Sequence, residues 1–143
     1  MKAIAPNDVT AVGFTLDFSN QRKLVLVEHW DGAKWSIVNA PNASPTFNTL
    51  AAVSGNSSND LYAVGFFGDS AGQDELLIEH FDGSAWTIVT APLKGLAQHL
   101  NGVFTLPGTT DVWTVGAYSN FGIDPESDLL QVPQTLVLFT PAG

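Results

Sequence analysis

Short runs of apolar and β-branched residues alternate with clusters of Gly, Asn, Asp and Ser along the chain. In its middle third the runs are LAAVSG (50–55), LYAVGFF (61–67), ELLIEHF (75–81) and AWTIVT (85–90). The segments between them, such as NSSND and GDSAGQD, are rich in turn-forming residues. Runs of this length predict β-strands, and no stretch keeps the period of a helix. The pattern therefore predicts an all-β chain.

The same phrases recur at a nearly constant interval. Residues 8–13 read DVTAVG, and DLYAVG and DVWTVG follow at 60–65 and 111–116, after intervals of 52 and 51 residues. EHWDGAKWSIVNAP (28–41) returns 51 residues later as EHFDGSAWTIVTAP (79–92). Two phrases repeating in step indicate a repeat architecture. Four predicted strands in a unit of about 50 residues are typical of a β-propeller blade.

The order of features within each unit resembles the Kelch-like propeller repeat. It resembles more closely a bacterial propeller repeat of the form DVWAVG…EHWDGxxW. The resemblance covers the whole chain and rests on the AVG strand, the strand ending in an aromatic residue and Asp, and the Trp that opens the fourth strand. The Gly-Gly pair of Kelch repeats is absent, because Gly13, Gly65 and Gly116 are followed by Phe, Phe and Ala.

The repeat divides the chain into three predicted blades. They span residues 1–41, 48–92 and 100–141. The end of the third blade has two interpretations. We prefer a third strand at 128–132, a Pro-Gln turn and a fourth strand at 135–140, which makes three four-stranded blades. The alternative makes TLVLF the third strand and leaves the blade without an outer strand.

Three blades are too few to close a ring, because propellers contain roughly four to eight. An open half-ring exposes apolar sheet faces at both ends, and such surfaces favour association. Two copies related by a two-fold axis complete six blades and end growth. We therefore expect a homodimeric six-bladed ring. The other interpretation is that the chain is part of a longer propeller.

Composition and charge exclude several function classes. The chain is 45% apolar and 13% charged, which is typical of globular proteins and not of disordered ones. A net charge of −9 argues against nucleic acid and anionic membranes as partners. No run approaches the roughly 20 apolar residues of a membrane helix, and MKAIAPND lacks the pattern of a signal peptide. The absence of cysteine excludes thiolate catalysis and is compatible with both cytoplasm and secretion.

The sequence carries no catalytic fingerprint. It contains no GxSxG, HExxH, P-loop or dinucleotide motif. Glu28-His29 and Glu79-His80 resemble acid/base pairs, but they recur at one blade position, and adjacent strand residues point to opposite faces. We expect a structural role for them, with general acid/base catalysis as the alternative. The single arginine, Arg22, argues against the Arg-rich site of sialidase-like propellers.

Residues shared by the copies are expected to serve folding, whereas residues that differ are free to bind a ligand. The shared set is Gly13, Gly65, Gly116, Trp35, Trp86, Asp31 and Asp82. Antiparallel order places the connections between strands 2 and 3 on the same rim as those between blades. These connections are 14–23, 66–75 and 117–127, and 39–48 and 91–100. Loops on a rigid scaffold concentrate binding residues. The candidates on this long-loop rim are Asp17, Asn20, Arg22, Phe67, Asp69, Asp74, His99, Tyr118, Asp124 and Glu126.

The chemistry of this rim suits two kinds of ligand. Carboxylates at Asp69, Asp74, Asp124 and Asp128 are of a type that binds Ca²⁺. The loop DSAGQDE lacks the EF-hand spacing, so a solvated acidic surface is the favoured interpretation. Aromatic rings beside amides and carboxylates suit a sugar.

Motifs, composition and rim chemistry together lead to one expected function. We expect a non-catalytic binding module without cofactor that self-assembles and presents its rim to a protein or glycan. The alternatives are a half-propeller whose main property is assembly and, least favoured, a glycoside hydrolase.

Overall fold

The computed structural model describes residues 1–91, 96–124 and 127–140. In those ranges the chain forms eleven β-strands and no helix, which confirms the all-β prediction. No helix in these ranges is long and apolar enough to cross a membrane. The strands are β1 (Lys2–Ala5), β2 (Asp8–Asp17), β3 (Arg22–Trp30), β4 (Trp35–Val38), β5 (Asn48–Ser57), β6 (Asp60–Gly68), β7 (Asp74–Phe81), β8 (Trp86–Ile88), β9 (Leu96–Thr105), β10 (Val112–Asp124) and β11 (Ser127–Thr140).

The strands form three antiparallel sheets, each made from consecutive strands. Sheet 1 has the order β1-β2-β3-β4, and sheet 2 repeats it as β5-β6-β7-β8. Sheet 3 has the order β11-β10-β9. The sheets cover residues 2–38, 48–88 and 96–140, so the third begins four residues before the predicted boundary at 100.

The third sheet corrects the preferred interpretation of the C-terminal segment. Residues 127–140 form one strand, β11, which pairs with β10 from Asp124↔Ser127 to Val112↔Thr140. No Pro-Gln turn interrupts it, and sheet 3 has three strands where four were predicted. Pro133 is accommodated because β11 is an edge strand, where a missing N–H is tolerated.

The turns between the third and fourth strands explain two of the shared residues. Asp31 Oδ1 accepts hydrogen bonds from the backbone N–H of residues 33 and 34, at 2.8 and 2.9 Å. Asp82 makes the same bonds to residues 84 and 85. The following residues, Gly32 and Gly83, have φ values of 95° and 92°, a conformation that favours glycine. Asp31 and Asp82 therefore hold the turns between the third and fourth strands of sheets 1 and 2.

The glycine of the AVG phrase lies where the first strand of a sheet approaches the second. A Cβ on Gly65 would overlap the carbonyl oxygen of Thr49, and one on Gly116 would overlap that of His99. Gly13 has no atom within 4 Å of such a Cβ, because β1 pairs only with the first three residues of β2.

The sheets pack face to face, with sheet 2 in the middle. One apolar core, between sheets 1 and 2, contains Val25, Val27, Leu50, Val53, Leu61, Ala63, Leu77 and Trp86. A second, between sheets 2 and 3, contains Val64, Leu76, Ile78, Leu100 and Leu136. Three consecutive residues of β7, at positions 76–78, are buried because sheet 2 is covered on both faces.

Candidate functional site

The outer face of sheet 1, which points away from sheet 2, carries exposed aromatic and aliphatic side chains. Trp35 is 44% exposed and Ile37 is 75% exposed. The repeat counterpart of Trp35 in sheet 2 is Trp86, which is only 6% exposed because it packs against sheet 1. The outer face of sheet 1 therefore carries the residues that sheet 2 uses to pack on its neighbour.

The outer face of sheet 3 shows the complementary relationship. Val12, Val64 and Val115 occupy one position of the repeat. Val12 packs towards sheet 2, and Val64 is fully buried against sheet 3. Val115 is 47% exposed. The exposed apolar side chains of this face are Phe104, Trp113, Val115, Val137 and Phe139.

The long-loop rim brings the predicted connections together. The backbone N–H of Lys23 donates to the carbonyl oxygen of Thr46 at 2.8 Å, and that of Gly68 donates to Phe47 at 2.9 Å. The start of β3 and the end of β6, which border the connections between β2 and β3 and between β6 and β7, thus meet the segment that joins sheets 1 and 2. They are shorter than predicted, because β2 continues to Asp17 and β3 begins at Arg22.

Three of the predicted rim residues form one cluster. Asp17 Oδ2 accepts hydrogen bonds from Asn20 Nδ2 at 2.8 Å and from Arg22 Nη2 at 2.7 Å. These bonds, that of Asn20 first, lower the pKa of Asp17 to about 2. The cluster closes the turn between β2 and β3.

A depression of about 330 Å³ lies beside this cluster. The Lys23 ammonium stands 3.8 Å from the ring centroid of Phe14 and 4.8 Å from that of Phe47. Leu16 and Phe18 line its edge and are 48% and 83% exposed. An apolar rim with a cation between two rings is suited to a planar or apolar group of a partner.

The predicted residues at the junction of sheets 2 and 3 hold each other. His99 Nε2 lies 2.6 Å from Asp74 Oδ2, and the imidazole stacks on Phe66 at 3.9 Å between ring centroids. Gln98 Nε2 donates to Glu75 Oε2 at 3.0 Å. Burial, together with the nearby Asp69 charge, raises the pKa of Glu75. This junction is tied together by side chains.

The remaining candidates are separated from one another. Asp69 Oδ1 caps its own turn by accepting from the backbone N–H of residues 71 and 73. Phe67 packs against the core between sheets 1 and 2, and Tyr118 against that between sheets 2 and 3. The side chains of Asp124 and Asp128, and the whole of Glu126, lie outside the described residues. Within the described part, no group of three or more His, Asp or Glu could hold a metal ion.

In each Glu-His phrase, the glutamate and the histidine point to opposite faces of their sheet. His29 Nε2 lies 3.0 Å from Asp8 Oδ1, and His80 Nε2 lies 2.8 Å from Asp60 Oδ1. Each pair joins the end of a third strand to the beginning of a second. Glu79 points to the opposite face of sheet 2 from His80, as strand geometry requires. The spacing of 21 and 20 residues between each Asp and its His is a signal in the sequence that indicates these pairs.

A cleft that sequence reasoning missed lies between sheets 1 and 2 on the rim opposite the long loops. It has a volume of about 460 Å³. Asp8 is its central polar group, since Ser58 Oγ donates to Oδ2 and His29 lies against Oδ1. The bond from Ser58 lowers the pKa of Asp8. The hydroxyl is bonded to the carboxylate and not to the imidazole, so the three groups do not form a nucleophile–base–orienter triad.

Comparison with protein-family models, curated proteins and solved structures finds no match to this chain.

All three histidines of the sequence are bonded to aspartates: His29 to Asp8, His80 to Asp60 and His99 to Asp74. These pairs join separate strands, which is the geometry of structural support. In the described residues, the apolar side chains of the two outer faces are not covered by another sheet of the same chain.

Proposed function

We propose that the chain is one half of a six-bladed β-propeller scaffold that closes its ring by pairing with a second copy. The observation that carries this proposal is the exposure of two faces whose repeat counterparts are buried within the same chain. Trp35 is 44% exposed where Trp86 is 6% exposed, and Val115 is 47% exposed where Val64 is buried.

The two outer faces are complementary in type. Inside the chain, the face of sheet 2 with Leu77 and Trp86 packs on the face of sheet 1 with Val12 and Val27. The outer face of sheet 1 carries the repeat counterparts of the face with Leu77 and Trp86. The outer face of sheet 3 carries the counterparts of the face with Val12 and Val27, because Val115 pairs across strands with Val137 as Val12 does with Val27. The outer face of sheet 1 can therefore pack on the outer face of sheet 3 of another copy.

Two copies make this contact twice. The outer face of sheet 1 of each copy meets the outer face of sheet 3 of the other, so both exposed faces are covered. A two-fold axis makes the two contacts identical and leaves no free end for further growth. The closed assembly has six sheets, within the range of natural propellers.

The test is the mass of the particle in solution, measured by light scattering at several concentrations. The unaltered chain is expected at twice 15.2 kDa. Val115→Asp places an unpaired carboxylate in the contact and is expected to weaken the dimer by about 100-fold or more. Ala71→Asp adds the same charge at an exposed turn of sheet 2 and is expected to remain dimeric. A dimer that survives Val115→Asp overturns the proposed contact.

A second function, binding of a protein or glycan at the long-loop rim, is favoured by the depression beside Lys23. Its edge carries Phe18, which at 83% is the most exposed aromatic side chain among the described residues. In a closed ring this depression occurs twice, on the same rim, which gives a multivalent partner an avidity gain.

Arrays of glycans and peptides, probed with the unaltered chain and with Phe18→Ala, test this second function. Binding that is lost in Phe18→Ala while the dimer persists supports the rim site. Equal binding by both proteins contradicts it.

A further inference from the structure

Glu79 is a buried carboxylate without a partner. The side chain is fully buried, and neither carboxylate oxygen has a hydrogen-bond partner within the part of the chain that the structure describes. It lies on the face of sheet 2 that packs on sheet 1, between its cross-strand neighbours Ala63 and Ile88. Burial raises the pKa of Glu79 to about 8. The Glu79 carboxyl therefore stays protonated up to a pH of about 8, whereas an exposed glutamate has lost its proton well below that pH.

The charged groups that face Glu79 from both sheets form no ion pair with its carboxyl. On the face of sheet 1 that packs on sheet 2, these groups are Lys2, Lys23 and His29. The Lys23 ammonium sits over aromatic rings at the rim, and His29 is held by an aspartate. On its own face, Glu75 is bonded to a glutamine. Desolvation is the cause of the raised pKa of Glu79, and no charged neighbour adds to it.

Glu28 is the counterpart of Glu79 in sheet 1. Its cross-strand neighbours are Ala11 and Ile37, which correspond to Ala63 and Ile88. The one difference is the covering sheet: Glu79 is covered by sheet 1, whereas Glu28 lies on the outer face of sheet 1 and is partly exposed. The ring contact proposed above places the outer face of sheet 3 of a second copy over it.

We propose that closure of the ring takes up a proton at Glu28 of each copy, so that pH controls assembly. This inference rests on the proposed function. The covering face presents Trp113, Val115, Val137 and Phe139, none of which carries a charge, and the indole N–H of Trp113 is the one hydrogen-bond donor among these four side chains. A carboxylate buried against them loses its hydration without gaining an opposite charge, and the protonated form is favoured.

The other titratable groups at this contact are an ion pair and a second carboxylate. On the outer face of sheet 1, Asp17 and Arg22 form an ion pair with each other. At the edge of the outer face of sheet 3, Asp111 is the repeat counterpart of Asp8 and adds a carboxylate, whereas His99 points to sheet 2, where Asp74 and the Phe66 ring hold it. Among the described residues these two faces offer no free cation to Glu28.

The sign of the effect follows from the protons bound. The closed ring holds two protons that the separate chains release as the pH rises, because only the ring buries the two Glu28 carboxyl groups. Acid therefore favours the ring. As the pH rises towards 8, the dissociation constant is expected to increase by up to about 100-fold per pH unit, tenfold for each carboxyl.

The experiment measures the dimer dissociation constant by sedimentation between pH 5 and pH 8, for the unaltered chain, Glu28→Gln and Asp82→Asn. We expect a steep rise with pH in the unaltered chain and in Asp82→Asn, which removes one negative charge at a turn of sheet 2. Glu28→Gln is expected to remove most of the slope. Calorimetric dissociation in buffers of different ionisation enthalpy should release about two protons per ring.

The outcomes separate the two proposals. A slope that is unchanged in Glu28→Gln overturns the proton uptake and leaves the ring standing. A slope removed equally by Asp82→Asn assigns the effect to net charge and also overturns it. The absence of a dimer at every pH and concentration overturns the ring itself, and the proton uptake with it.

Discussion

At the scale of single residues, the repeat preserves glycine where two strands approach too closely for a side chain. Gly65 lies against the backbone of Thr49, and Gly116 against that of His99. The same position in sheet 1 is also glycine, Gly13, although a Cβ there would have no atom within 4 Å. The repeat therefore contains one position with identical sequence and unequal structural demand, and this offers a controlled test.

Gly65→Ala is expected to lower the free energy of unfolding by about 1–3 kcal/mol, because the added Cβ overlaps a carbonyl oxygen that belongs to a paired strand. Gly13→Ala is expected to leave it unchanged or slightly raised. Urea unfolding of both variants at one protein concentration checks this. Equal losses in the two variants would contradict the close approach of β5 to β6.

Glu79 provides a second prediction at this scale. The folded carboxyl has a pKa of about 8, against an ordinary value of 4.5. The folded chain thus binds the proton more tightly than the unfolded chain does. The free energy of unfolding therefore contains the full effect of this proton at low pH, and it falls by up to about 1.4 kcal/mol per pH unit as the pH rises towards 8.

Glu79→Gln is expected to flatten this pH profile of the unfolding free energy. The profile is measured by urea unfolding in the monomeric Val115→Asp background. Asp82→Asn is the control, because hydrogen bonds from backbone and side chain lower the pKa of Asp82 to about 2 and it stays charged across this range. A profile that is steep in Glu79→Gln rules out a buried neutral carboxyl.

At the scale of elements, the position of a sheet in the stack decides what its repeated residues do. Sheet 2 is covered on both faces, whereas sheets 1 and 3 are each covered on one. Trp86 and Trp35 begin equivalent strands and pack at a tilt against equivalent aromatics, Phe81 at 5.4 Å and Trp30 at 5.8 Å between ring centroids. Only Trp86 is enclosed.

Trp86→Ala is expected to remove about 3–5 kcal/mol of stability and to abolish the dimer together with the fold. Trp35→Ala is expected to leave unfolding of the separate chain nearly unchanged and to raise the dimer dissociation constant. Thermal unfolding and light scattering on the two variants check this. A stable dimer in Trp35→Ala would contradict the role of the outer face of sheet 1.

The elements that the sequence predicts well are those defined by local chemistry. The Asp-Gly turns and the strand order of sheets 1 and 2 follow from turn residues and repeated phrases. The predicted turn at Pro133 was wrong, because a proline is compatible with an edge strand as well as with a turn. The length of β2 and β3 was also missed, since polar residues near a hairpin end are compatible with strand or loop.

The candidate site was harder to predict than the fold. Asp17, Asn20 and Arg22 do come together, yet they bond to one another. The cleft at Asp8 depends on Ser58 from the next sheet, a contact 50 residues away that no local pattern encodes. Glu28 and Glu79 stand in similar sequence contexts, LVEHWDG and LIEHFDG, and it is the stacking of the sheets that buries one of them.

At the scale of the whole molecule, the chain is a stack of three similar sheets with two unlike, complementary ends. In the proposed ring, each end is covered by the opposite end of a second copy. The net charge of −9 opposes that association away from the isoelectric point of about 4.3, so mildly acidic solution is the condition that favours it.

The most direct measurement is the mass of the purified chain by light scattering at pH 5.5 over a hundred-fold range of concentration, a span of about 2.7 kcal/mol in binding free energy. The account predicts a single species at twice 15.2 kDa that gives way to the single chain only on dilution. A single chain at every concentration, or a series of species that grows without limit, would contradict a closed ring of two copies.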